Sequence, residues 1–198
     1  LQRPAVRKTA VPSDSFLEKA FPRIDYADAY RGEIHSAGPV RLDELFPGFI
    51  RATPSWIAFL MRVRNRLAGI LGLKTGEEED CPRRESFRGQ KGDSRGLFEV
   101  LEKTDREAVM GKDDRHLDFR VSVHLDPLPG SAPYAYALTL STTVIFHNRF
   151  GKLYFALVKP FHKLIVPAMM RSIIRNLEGA VAAEKTARDG SVNPLREP

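Results

Sequence analysis

The stretch Leu117–Leu125, LDFRVSVHL, alternates without exception: Leu117, Phe119, Val121, Val123 and Leu125 are apolar, and every residue between them is polar. Successive side chains of a β-strand point to opposite faces, so a strict period of two fits a strand with one buried face and no helix. TLSTTVIFH repeats the pattern, with Leu138, Leu140, Val144 and Phe146 on one face and Thr139, Ser141, Thr143 and His147 on the other. GLFEVLEKT and REAVMGK precede these two runs, and turn signals at Thr104-Asp105, Lys112-Asp113-Asp114 and Pro127 to Pro133 separate all four. Connections this short predict antiparallel neighbours in a meander. The apolar faces should line one interior. The polar ladder, from His116 to His124, should then face water, with cross-strand pairs worth about 0.2–1 kcal/mol each.

The rest of the chain supplies helices and connections. Residues 1–22 mix Pro, Ser, Arg and Lys without period and read as an arm. RIDYADAYRGEIH reads as a first strand whose alternate positions Ile24, Tyr26, Asp28, Tyr30 and Ile34 are apolar except for Asp28. RLDELF predicts one or two helical turns stopped before Pro47. A longer helix follows, with Thr53 as N-cap, Pro54 in its first turn, and Trp56, Phe59, Leu60, Val63, Leu67, Ile70 and Leu71 at helical spacing. Residues 74–96 are charged and Gly/Pro-rich, a long loop that serves as either a linker or a lid. From Arg149 an apolar segment with Lys152, Lys159 and Lys163 predicts a long terminal helix, bent or broken near Pro160 or Pro167 and stopped at Gly179. These charges argue against its spanning a bilayer. The organisation expected is an arm at 1–22, one domain at 23–178 and a tail at 179–198.

Charge is unevenly placed. The formal net charge is +6, yet no Asp or Glu occurs from Pro127 through Leu177, where Arg149, Lys152, Lys159, Lys163, Arg171 and Arg175 cluster. Such a patch steers anionic partners, an anionic membrane surface among them, or forms an ordinary solvated helix face. Nucleic acid is not expected, because no exposed strand interleaves aromatic residues with bases. Cys81 is the single cysteine, which excludes a disulfide framework and a multi-cysteine zinc site. With no signal-peptide apolar run near Leu1, a cytoplasmic protein is expected.

The order of elements is α+β: a curved antiparallel sheet that needs the terminal helix to cover its apolar face. This resembles the helix-grip fold of the START-like, or SRPBCC, superfamily, which implies an apolar cavity between sheet and helix. The segments DYADAYRGEI, GLFEVLE, VMGKDDRHLDFRVSV, TLSTTVIFHNRFGKLYF and KPFHKLIVPAMM are more closely similar to the domain-of-unknown-function family 2867. That likeness spans roughly residues 23–177. It implies the fold and assigns no catalytic residues.

Chemistry is sparse. The tripeptide His-Leu-Asp occurs at 116–118 and again at 124–126. Eight residues of strand separate His116 from His124 by about 26 Å, so they cannot share an ion, and a metal would need a third ligand from another strand, such as His147. No metal is expected. Asp113 and Asp114 sit where a turn uses Asp for local hydrogen bonds, with the surplus acid available to Arg115. Asp28 is the stronger candidate, since a carboxylate on an apolar face must be paired or hydrogen-bonded. His162 stands mid-helix, as a core or rim residue or as an acid/base group. No P-loop, dinucleotide fingerprint, nucleophile elbow or zinc-protease motif occurs, and no cofactor is expected.

These residues point to a cavity binding a small hydrophobic or amphipathic molecule, lined by Tyr26, Asp28, Tyr30, Trp56, Phe119, Tyr136, Phe146, Phe161 and His162. The alternatives are a cavity enzyme of the cyclase, isomerase or hydrolase kind using Asp28 or His162, and membrane-surface binding through the basic helix.

Overall fold

A computed structural model describes residues 4–36, 38–51, 69, 89–95, 98–130 and 134–191. Seven strands form one curved antiparallel sheet: β1 (Val6–Thr9), β2 (Tyr26–His35), β3 (Ser94–Arg95), β4 (Phe98–Lys103), β5 (Glu107–Lys112), β6 (Leu117–Pro127) and β7 (Ala135–Phe146). Their order is β1-β2-β7-β6-β5-β4-β3, so the predicted meander occupies one side and β2, the strand expected from RIDYADAYRGEIH, closes back onto β7. Among the described residues two α-helices of more than one turn accompany the sheet, α1 (Leu42–Arg51) and the long α2 (Arg149–Ser191). The architecture is the α+β sheet and terminal helix expected. The helix expected from Thr53, with Trp56, the region around Cys81 and most of the loop at 74–96 lie outside the described residues.

The register makes the alternation structural. Leu117, Phe119, Val121, Val123 and Leu125 pair with Phe146, Val144, Thr142, Leu140 and Leu138, so one face of β6 and β7 turns towards α2. In β2 the inner face is Tyr26, Asp28, Tyr30, Gly32 and Ile34, opposite Val144, Thr142, Leu140, Leu138 and Tyr136. Helix α2 packs on β2, β7 and β1 and sends Met170, Ile173 and Ile174 into a cluster with Ile34, Leu138 and Val123. Burying each such side chain contributes about 1.5–3 kcal/mol. The close approach depends on Gly32, where an added Cβ would sit 2.7 Å from Ile174 Cδ1. At the other end Gly151 lets the first turn of α2 meet the His116 carbonyl, which a Cβ would approach to 2.0 Å.

Several expectations are corrected. Helix α1 runs through Pro47 to Arg51, because Leu42, Leu45 and Phe46 are buried in the core and one missing hydrogen bond does not outweigh them. Helix α2 is continuous through Pro160 and Pro167. The carbonyls those prolines leave free belong to Ala156 and Lys163, both solvent-exposed residues within reach of water. Gly179 does not stop the helix, since the Ala-rich stretch after it has high helix propensity. Asp113 pairs with Arg120 at 2.6 Å, not with Arg115.

The largest correction concerns the arm and the sheet's second face. Val6–Thr9 is an edge strand, and residues 10–25 cross the outer face through a 3₁₀ turn at Phe16–Lys19. Leu17 is fully buried there. Ser15 caps the turn by accepting from Leu17 N, and its hydroxyl donates to Glu107 Oε1 at 2.6 Å. Glu107 also accepts from Phe16 N and from Ser122 Oγ, so a buried carboxylate anchors the segment. Consequently Ser122, His124, Thr139, Ser141 and Thr143 are buried instead of facing water. Only the far end of the ladder is wet, where His147 Nε2 lies 2.9 Å from Asp118 and Asn148 Nδ2 lies 3.1 Å from His116 Nδ1.

Candidate functional site

The inner apolar surface divides into two clusters. One gathers around Ile34, Leu138 and Met170, and the other around Leu117, Val144 and Phe155 with Tyr26, Phe119, Phe146 and Tyr154 against them. The row between them begins with Asp28, Thr142 and Val121 on adjacent strands. Alternation puts Asp28 there: it follows Tyr26 by two residues and must take the same face.

Asp28 is closed off from solvent, with a side-chain exposure of 1%. The Tyr26 hydroxyl donates to its Oδ2 at 2.5 Å, and His162 Nε2 lies 3.1 Å from its Oδ1. A carboxylate only accepts, so the Nε2 proton points at Asp28 and a neutral His162 keeps its lone pair on Nδ1. The Lys159 ammonium, one helical turn from Phe155, lies 4.9 Å from the centre of the Tyr26 ring. Phe155 packs against the same ring at 4.7 Å, and the His162 imidazole stands edge-on to it.

Burial is the largest influence on the Asp28 carboxyl and raises its pKa. The hydrogen bond and charge of His162, the Tyr26 hydroxyl and the charge of Lys8 together outweigh it, and the net direction is down. Tyr26 moves strongly upward through burial and its bond to Asp28, and Tyr30 moves up through burial and the Asp28 charge. The cluster is therefore an ionised carboxylate holding an imidazole and a firmly protonated phenol. Such a pair orients His162 and leaves Nδ1 of the neutral ring able to accept from a donor group.

On β6 beside this row, and on α2 within four residues of His162, apolar side chains are only half covered. Phe119, Val121, Val158, Phe161 and Ile165 are half-buried, and Phe98, edge-on to Phe119 at 5.7 Å, is 41% exposed. Among the expected lining residues, Tyr26, Asp28 and His162 come together, and Phe119 and Phe146 lie in the cluster beside them. Tyr30 is buried in the other cluster, and Phe161 precedes His162 on the helix. Tyr136 sits six residues along β7 from Thr142, about 20 Å away, where its hydroxyl accepts from Val40 N. Trp56 lies outside the described residues. Thr142 and Lys159 were not anticipated. Thr142 breaks the apolar face of its own strand, and that break marks it in the sequence once 138, 140, 144 and 146 are aligned.

The family description "Protein of unknown function (DUF2867)" matches residues 20–169, which covers β2 through the first half of α2 and ends just before Met170. The chain belongs to the DUF2867 family. The match takes in every residue of the Tyr26–Asp28–His162 cluster. No curated protein matches the chain. Among solved structures, the chain is similar to a conserved protein from Geobacillus kaustophilus at 11% identity and a TM-score of 0.31, over 42% of this chain and 56% of that one. The chain thus spans little more than half of that protein's length.

Proposed function

We propose that the protein binds a small hydrophobic or amphipathic molecule between the sheet and α2, with the Tyr26–Asp28–His162 cluster holding its polar end. The observation that carries this reading is Asp28: a carboxylate 1% exposed, set on an apolar face where the core divides in two, and bonded to a helix residue that remains partly open. Ligand sites combine a mostly apolar lining with a few convergent polar groups. Here the half-buried Phe119, Val121, Phe161 and Ile165 supply the first and His162 the second. The Nδ1 lone pair suits a hydroxyl, acid or amide on the ligand. The test is native mass spectrometry of protein purified from its own host, wild type beside His162→Ala. A small-molecule adduct present in the wild type and lost in the variant is expected. Protein that carries no adduct, together with no turnover or uptake of any apolar probe, sinks the reading.

A second reading has its own observation. Leu153, Leu157 and Leu164 are 54%, 40% and 61% exposed and lie on one stripe of α2, with Ala156 and Pro160 also exposed between them. Exposed Lys152 and Lys163 flank the stripe, and exposed Arg149 stands at its start. By length and composition Arg149–Gly179 meets the requirement for crossing a bilayer, contrary to the expectation from its charges. Phe155, Met170, Ile173 and Ile174 nevertheless pack on the protein's own sheet, which favours lying on an anionic membrane surface over spanning it. Sedimentation with phosphatidylserine-containing vesicles should capture the protein at low salt and release it at high salt. Leu157→Glu with Leu164→Glu should abolish capture, and equal capture of this variant refutes the reading.

A further inference from the structure

The second His-Leu-Asp tripeptide is left without a role by the site above. His124 is buried on the outer face, and Asp14, from the segment that crosses that face, comes down beside it and Asp126. One ligand atom from each of the three residues lies within 4.8 Å of the other two. We propose that Asp14, His124 and Asp126 form a binding site for a first-row divalent transition-metal ion, which ties the N-terminal segment to β6.

Two observations beyond the clustering support this. The first is the spacing. His124 Nε2 lies 3.4 Å from Asp126 Oδ1, longer than the usual N–H···O hydrogen bond of about 2.7–3.2 Å. Two ligands each about 2.1 Å from a tetrahedral ion stand about 3.4 Å apart. The second is the far side of the ring. Among the described residues, His124 Nδ1 is buried with no hydrogen-bond partner, and so is Thr139 Oγ1, on the residue directly opposite His124 in the β6–β7 register. Directly opposed side chains in an antiparallel pair have Cβ atoms about 5 Å apart, so a small rotation lets Nδ1–H donate to the hydroxyl. Metal-bound histidines characteristically donate their second ring N–H to such a partner. A metal on Nε2 and Thr139 on Nδ1 would satisfy both sides of a buried imidazole whose Nε2 otherwise has only the long contact to Asp126.

The scaffold holds the third ligand in place. Glu107 is the register partner of His124 on the other side, and it grips Ser15, the residue after Asp14, through the Ser15 hydroxyl. Asp14 is thereby fixed over His124 without a metal. One imidazole and two carboxylates match zinc, manganese or cobalt better than calcium or magnesium, which take all-oxygen sets. Three protein ligands leave at least one position for water.

The experiment uses the full chain after exhaustive dialysis against EDTA, titrated with Zn²⁺ by calorimetry and with Co²⁺ by visible absorption. One saturable ion per chain is expected, with a Co²⁺ d–d spectrum of low-coordinate type and slower proteolysis between residues 10 and 25. Asp14→Asn neutralises an exposed side chain without changing its shape; it should weaken Zn²⁺ binding by about tenfold or more and remove the protease protection. His147→Ala, which removes the separate pair with Asp118, should change neither. No saturable binding of either ion, or binding that Asp14→Asn and Asp126→Asn leave unchanged, overturns the proposal.

Discussion

The pairing of Asp28 with His162 and Tyr26 makes a signed prediction for Asp28→Asn. The amide is nearly isosteric and keeps both hydrogen bonds in principle, with its oxygen accepting from Tyr26 and its NH₂ donating to His162. What it loses is the charge. A hydrogen bond to a charged group contributes about 1.5–3 kcal/mol and a neutral one about 0.5–1.5 kcal/mol. Two such bonds therefore weaken by about 2 kcal/mol in total, reduced by the desolvation that a neutral side chain no longer suffers. The sign follows from the direction of the Asp28 pKa, which is lowered in the folded protein. The fold favours the ionised over the neutral form more than the unfolded chain does, so a neutral mimic destabilises, by about 1–2 kcal/mol at pH 7. A carboxyl with a depressed folded pKa contributes stability that is complete above its unfolded value, about 3.9, and is lost as pH falls through the folded value. Below that point the wild type is itself neutral at residue 28, and the two proteins should converge. Urea unfolding of both at pH 7 and at the lowest pH where both remain folded measures the difference directly. A gap that is equal at both pH values, or an Asn variant as stable as wild type at pH 7, refutes the account of Asp28 as an ionised, paired group.

Other perturbations test other joints of the fold. Gly32→Ala should destabilise by about 1–3 kcal/mol through overpacking, because its Cβ meets Ile174 Cδ1 at 2.7 Å; adding Ile174→Val, which deletes that atom, should recover part of the loss in denaturant melts, and strictly additive effects would locate the strain elsewhere. Glu107→Ala leaves Ser15 Oγ, Phe16 N and Ser122 Oγ without their acceptor, so a loss of about 3–5 kcal/mol and new cleavage between residues 10 and 25 in limited proteolysis are expected; an unchanged cleavage pattern would show that the segment is held by Leu17 alone. Tyr26→Phe removes one donor to Asp28 and keeps the packing on Phe155, for a cost of about 1–2 kcal/mol, and a cost near zero would mean that the phenol contributes through packing only.

Which parts of this were legible in the sequence depends on how far each rule reaches. Alternation is local, so the meander and the inner face of β6 and β7 could be written down from LDFRVSVHL and TLSTTVIFH alone. The same rule exposed Asp28, because a charge on the apolar parity of a strand is an inconsistency that the fold must resolve. Its resolution could not be read, since Asp28 and His162 are joined only by the register of α2 on β2, which depends on Gly32 and Ile174 rather than on anything near either residue. The outer face fails for a different reason. Parity says which side of a sheet a residue takes and is silent about what covers that side, so Ser122, His124, Thr139, Ser141 and Thr143 read as solvent-facing when they are buried. The cover, VPSDSFLEKAF, has no period, but Ser15-Phe16-Leu17-Glu18 carries the Ser-x-x-Glu spacing of a helix start with an apolar residue inside it. A turn that buries one leucine needs a surface to bury it against, and an acid on a strand of that surface can accept from its free N–H. Glu107 is that acid, and its being a carboxylate in a run of buried strand residues was the sequence's sign that the polar face has a lid.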